Sequence, residues 1–191
     1  MAATTRAWAA WGERHGVDGA AIQAANHGRP ARAIIAEHVS PERLDEETEF
    51  LLRAEVDDTG DVIPLEGATG VLALPVVAIA TSCVDELARA RITAAGLALP
   101  AVLVTSDQVR NGKPAPDCYL RAAERLGADP ARCLVLEDAP AGVAAGKAAG
   151  MTVWAVTTTH EPGDLEAADR VAEGLEAVLA ELRDGRMLPV G

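Results

Sequence analysis

Gly112-Lys113-Pro114-Ala115-Pro116-Asp117, followed downstream by Cys133-Leu134-Val135-Leu136-Glu137-Asp138, is the stretch on which the reading of this chain turns. An apolar run that stops at paired carboxylates reads as a buried strand delivering charge to the edge of its sheet. Ala101-Val102-Leu103-Val104 is another apolar run, upstream of Lys113. Helical patterns separate the runs, which gives right-handed β-helix-β units and a mostly parallel α/β sheet whose carboxyl ends share one crevice. Lys113, Glu137 and Asp138 are expected to meet there.

Working outward, Val76 to Ala80 forms another buried strand and releases Thr81-Ser82-Cys83 before a helix over 84–95. Hydroxyls and backbone N–H groups between a strand end and a helix start can hold a phosphate. They can equally cap the helix, and the residues alone leave both roles open. Downstream, 139–149 is a helix of small residues suited to close packing, 152–156 a strand and 175–182 a closing helix. Upstream, Trp8 and Trp11 lie three apart on a helix over 7–15, and Asp18, Pro30 and Ser40-Pro41 mark further helix starts. The shift in pattern near Pro64 divides the chain into a helical domain, 1–64, and an α/β domain, 65–191. Asp57-Asp58-Thr59-Gly60-Asp61 follows a helix instead of ending a strand, so it reads as a solvated hinge.

The 191 residues carry 17 basic and 29 acidic side chains, a formal net charge of -12. That balance excludes nucleic acid and anionic membranes as expected partners. It also requires a local cation or a metal wherever a phosphorylated ligand binds. The three cysteines, Cys83, Cys118 and Cys133, have no metal-ligand spacing and read as structural thiols of a reducing compartment. No apolar run of signal-peptide or transmembrane character is present, so a cytoplasmic protein, monomer or homodimer, is expected.

Ala78-Ile79-Ala80-Thr81-Ser82, the Gly112–Asp117 run and Leu136-Glu137-Asp138-Ala139-Pro140-Ala141-Gly142, in this order, resemble the second, third and fourth motifs of the haloacid dehalogenase-like (HAD) hydrolases. The branch they resemble contains β-phosphoglucomutase and the sugar and polyol phosphatases. The resemblance implies a HAD-like Rossmannoid sheet with a small helical cap, catalytic Thr81 and Lys113, and substrate contacts from Ser82, Arg29 and His27. It also implies a Mg²⁺ site on Asp138 and Glu137. The family's first motif, an Asp-x-Asp that ends the central first strand and supplies the nucleophile, has no counterpart in these residues. The sheet is therefore expected to lack its central strand, and the intact gene product to begin with an additional strand ending in Asp-x-Asp.

Two classes of function follow. One is a Mg²⁺-dependent phosphatase of a small sugar or polyol phosphate, impaired in this chain. The other is a non-catalytic protein that binds a phosphorylated ligand or a partner. A phosphomutase in the full-length form is a variant of the first, and whether this chain itself is an enzyme stays open between them.

Overall fold

The computed structural model describes residues 3–26 and 29–183. α1 (Ala3–His15) buries Trp8 and Trp11 against Ile34 and Ile35 of α3 (Ala31–Ile35) and Leu51 of α4 (Leu44–Asp57). α2 (Gly19–Ala25) is capped by Asp18, whose carboxylate accepts the Ala21 N–H at 2.9 Å. It crosses α1 so closely that a Cβ on Gly19 would stand 1.8 Å from the Trp8 carbonyl oxygen, and only glycine permits that approach. The helix begun at Pro30, whose sequence pattern is expected to continue towards Val39, stops at Ile35. Ser40 precedes Pro41 and is held in extended backbone (φ -71°, ψ 154°), which a helix cannot continue through.

Beyond residue 64 the chain alternates. α5 (Ala68–Leu72) leads to β1 (Ala78–Ala80), and α6 (Asp85–Ala94) returns to β2 (Val102–Val104), parallel to β1. α7 (Asp117–Leu126), ended by Gly127 in the left-handed region, precedes β3 (Leu134–Glu137). α8 (Pro140–Ala148) then connects β3 to its parallel neighbour β4 (Thr152–Val156), which pairs in parallel with β5 (Arg170–Ala172) before α9 (Leu175–Arg183). These are the β-helix-β units expected, with one break. Among the described residues β1 pairs only with β2, and β3 only with β4.

The break is the one expected of a sheet without its central strand. Its effect is visible in burial, since all three residues of β1 stay half-exposed whereas four of the five in β4 are buried. α7 spans it, placing Cys118, Tyr119, Ala122 and Ala123 in one core with Val104 of β2 and Val135 of β3. α8 lies tight on the second sheet, where a Cβ on Gly146 would come within 2.6 Å of Val153 Cγ2.

Polar contacts tie the helical layer to the α/β layer. Arg91 of α6 donates to Thr4 Oγ1 at 2.6 Å and to Glu55 Oε1 at 3.2 Å. Arg6 forks onto Asp58 (2.6 and 2.7 Å) and Asp61 (2.8 and 3.0 Å), so the acidic run is engaged by a guanidinium. Among the described residues all three cysteines are free thiols, and no helix is long and apolar enough to cross a membrane.

Candidate functional site

The ends of β1 and β3 face each other across the break, and Lys113 joins them. Its ammonium donates to the Ala80 carbonyl at 3.4 Å and pairs with Glu137 Oε1 at the end of β3. Tyr119 of α7 donates its phenol to the same oxygen at 2.6 Å. Glu137 Oε2 accepts the backbone N–H groups of Asp138 (2.9 Å) and Ala139 (3.1 Å) at the start of α8. The carboxylate fits under that helix because residue 142 is glycine: a Cβ there would lie 2.0 Å from the carboxyl carbon. Burial by itself would push the Glu137 carboxyl up. The Lys113 ammonium outweighs burial, aided by the Tyr119 and Asp138 donors, and holds the group below the usual glutamate range. The Tyr119 phenol is pushed well above its ordinary value by burial and by the Glu137 charge, so it stays a donor.

Thr81 and Ser82 line a cleft of about 10 Å³ with Lys113, Ser106, Val109, Gly112, Cys118 and Pro30. That is room for one water-sized group. The Thr81 hydroxyl accepts the Cys83 N–H at 3.1 Å in a local turn, not as the cap of α6, whose N-cap is Val84 without a side-chain bond, and keeps its own proton to donate. Ser82 is exposed. The helical layer reaches this cleft through Pro30, 3.6 Å from where a Gly112 Cβ would stand. Arg29 does not contribute its guanidinium: that group is exposed and bonded to Asn26 Oδ1 and to Glu37 Oε1. His27 lies outside the described residues.

Asp138 turns away from this group and towards the loop after β4. Its Oδ2 accepts the Thr159 hydroxyl at 2.9 Å and, more weakly, that of Thr158 at 3.4 Å. Its carbonyl oxygen lies 2.9 Å from His160 Nδ1 and 2.9 Å from the same Thr159 hydroxyl, whose one proton is shared between that oxygen and Oδ2. Thr159 and His160 thus steer Asp138, a role the sequence left unassigned. Lys113 and Glu137 meet as expected, but no hydrogen bond among the described residues joins Asp138 to Lys113 or Thr81.

The two carboxylates therefore part company as candidate ligands. Each Glu137 oxygen already accepts two protein donors, so Glu137, expected as a second metal ligand, has no lone pair left for a cation in this arrangement. Asp138 Oδ1 accepts no hydrogen bond among the described residues and is the oxygen available. Mg²⁺ commonly takes one or two protein carboxylates and completes its octahedron with water and phosphate, which one aspartate can satisfy. No cluster of three or more acidic, histidine or cysteine side chains occurs among the described residues.

A family model described as haloacid dehalogenase-like hydrolase matches residues 4–150. Hexitol phosphatase A of Escherichia coli (strain K12) is 38% identical, over 93% of this chain and 86% of that protein. Validoxylamine A 7'-phosphate phosphatase of Streptomyces hygroscopicus subsp. limoneus is 34% identical, over 90% of this chain and 86% of that protein. The crystal structure of a hydrolase from Pseudomonas syringae superimposes with a TM-score of 0.81 at 26% identity, covering 95% of this chain and 91% of that one. With strand ends, bridging lysine and acidic pair arranged as described, the chain belongs to the haloacid dehalogenase-like hydrolase family.

Proposed function

We propose that the protein binds small sugar or polyol phosphates as a phosphatase of phosphoric monoesters, in a form whose hydrolysis is impaired. The observation that carries this is Lys113, a half-buried ammonium held at the strand ends beside the Thr81 and Ser82 hydroxyls. A fixed cation and hydroxyl donors are what a phosphoryl group needs in order to bind and have its charge neutralised. The names of the two relatives supply the substrate class. The impaired part of the proposal rests on these 191 residues containing no Asp-x-Asp to form an aspartyl phosphate. Mg²⁺, if bound, would be held by Asp138 and would screen the phosphoryl charge. Thr159 and His160 orient that carboxylate.

Titration calorimetry with a hexitol phosphate, with and without Mg²⁺, alongside malachite-green detection of released phosphate, tests this. Binding is expected to weaken by about tenfold or more in Lys113→Met, the loss of one charged hydrogen bond. Phosphate release by these 191 residues is expected near background. Release at enzymic rates would overturn the account of the nucleophile, and equal binding by Lys113→Met would overturn the site. The absent Asp-x-Asp also favours a second reading, a ligand-binding protein without catalysis. It predicts binding with no release even after a strand ending in Asp-x-Asp is added upstream.

A further inference from the structure

The chain has one tyrosine and two lysines, and the tyrosine and one lysine share a single carboxylate oxygen. Tyr119 lies on the inward face of α7, buried, with its hydroxyl 2.6 Å from Glu137 Oε1. The face of its ring stands 4.8 Å from the Lys113 ammonium, within cation–π range. Lys113 follows Gly112 in a loop, on a flexible four-carbon stem. Left to itself, such a side chain samples many rotamers.

We propose that Tyr119 is a positioning residue: its hydroxyl and ring together hold the Glu137 carboxylate and the Lys113 ammonium in one place at the ends of β1 and β3. The donors divide between the two oxygens. The α8 backbone fixes Oε2 and the phenol fixes Oε1, so the carboxylate can neither swing nor rotate. Lys113 then spends one N–H on Oε1 and one on the Ala80 carbonyl. Of its three donors, one remains for a ligand. A tyrosine suits this task because it has few rotatable bonds, sits in a close-packed core and keeps its proton. Neither Lys113 nor Glu137 could reach the same precision alone. What the third N–H is for rests on the phosphoryl-site reading; the clamp itself does not.

The single tyrosine and two lysines make the test specific. Lysine side-chain ¹⁵N resonances are recorded for the wild-type protein and for Tyr119→Phe, which keeps the ring and removes the hydroxyl. Lys147, exposed and paired with Asp169 at 2.5 Å, serves as the internal control. The Lys113 signal is expected to shift or broaden in the variant while that of Lys147 stays put. Affinity for inorganic phosphate is expected to fall about tenfold. A folded Y119F protein with an unchanged Lys113 signal and unchanged phosphate affinity would overturn the proposal. A moved Lys113 signal in a protein whose wild type binds no phosphate would uphold the clamp and remove the phosphoryl-site reading. Should Y119F not fold, Glu137→Gln read through the ¹³Cζ resonance of the sole tyrosine decides the matter. A shift supports the clamp, and an unmoved resonance overturns it.

Discussion

Replacing Gly142 with alanine is expected to empty the Glu137 seat. The new methyl would overlap the carboxyl group, with 2.0 Å between Cβ and the nearest carboxyl atoms. The glutamate is flexible enough to leave, so the damage comes less from the clash than from what departure strands. The Tyr119 hydroxyl and the Asp138 and Ala139 N–H groups lose their acceptor, and Lys113 loses its counter-charge. Lost hydrogen bonds to a charged group, with donors left buried, cost roughly 3 kcal/mol together. Alanine returns up to about 1 kcal/mol in helix propensity. A net loss of about 2 kcal/mol is expected by urea unfolding, with a displaced Tyr119 absorbance and phosphate binding reduced at least as far as in Lys113→Met. A variant as stable as the wild type, with its tyrosine spectrum unmoved, would show that the carboxylate does not sit beneath α8.

Glu47→Ala is expected to cost still more, about 3 kcal/mol at pH 7, the low end for removing one member of a buried ionic group. Glu47 is fully buried on the inward face of α4, between Leu44 and Leu51. Its carboxylate meets His15 Nε2 at 2.8 Å, Arg14 Nη2 at 3.3 Å and Arg43. Arg14 and Arg43 are part-exposed and can return to water when it is removed, which keeps the loss at the low end. His15, with its ring packed 4.6 Å from that of Trp11, cannot withdraw as freely. Burial would raise the Glu47 carboxyl; the hydrogen bonds from His15 and Arg14 overcome it and hold the group below its ordinary value of 4.5. The sign follows from linkage. The contribution is complete above pH 4.5 and drains away as pH falls through the depressed folded value. Wild type and variant should therefore differ most near neutrality and converge towards pH 3, as read by denaturant midpoints at both pH values. A difference that grows on acidification would sink this assignment.

Glu47 also shows where sequence reading stops. Leu44, Leu51 and their neighbours mark α4 as a helix by spacing, and a glutamate on the same stripe looks like a fault in it. Only the fold reveals that Arg14 and His15, on a helix distant in sequence, arrive opposite that position. Tyr119 is similar. It is one apolar-faced residue of an amphipathic helix until β3 is placed beside α7, and then its hydroxyl meets Glu137 Oε1.

Residue order alone determined what depends on local periodicity and on covalent neighbours. The strands that run up to Thr81 and Asp138, the glycine and proline stops and the helical first third are all legible there, because each follows from nearby side chains. Tertiary structure decided the direction of each carboxylate. Glu137 turns inward to Lys113 and Tyr119 while Asp138 turns to Thr159, since adjacent residues at a strand end leave on different sides and take whichever donors other elements present. It also decided that Arg29 spends its charge on Glu37 while Pro30 touches the cleft. A charged side chain goes to the nearest opposite charge the packed chain offers, and no spacing along one strand or helix encodes that distance.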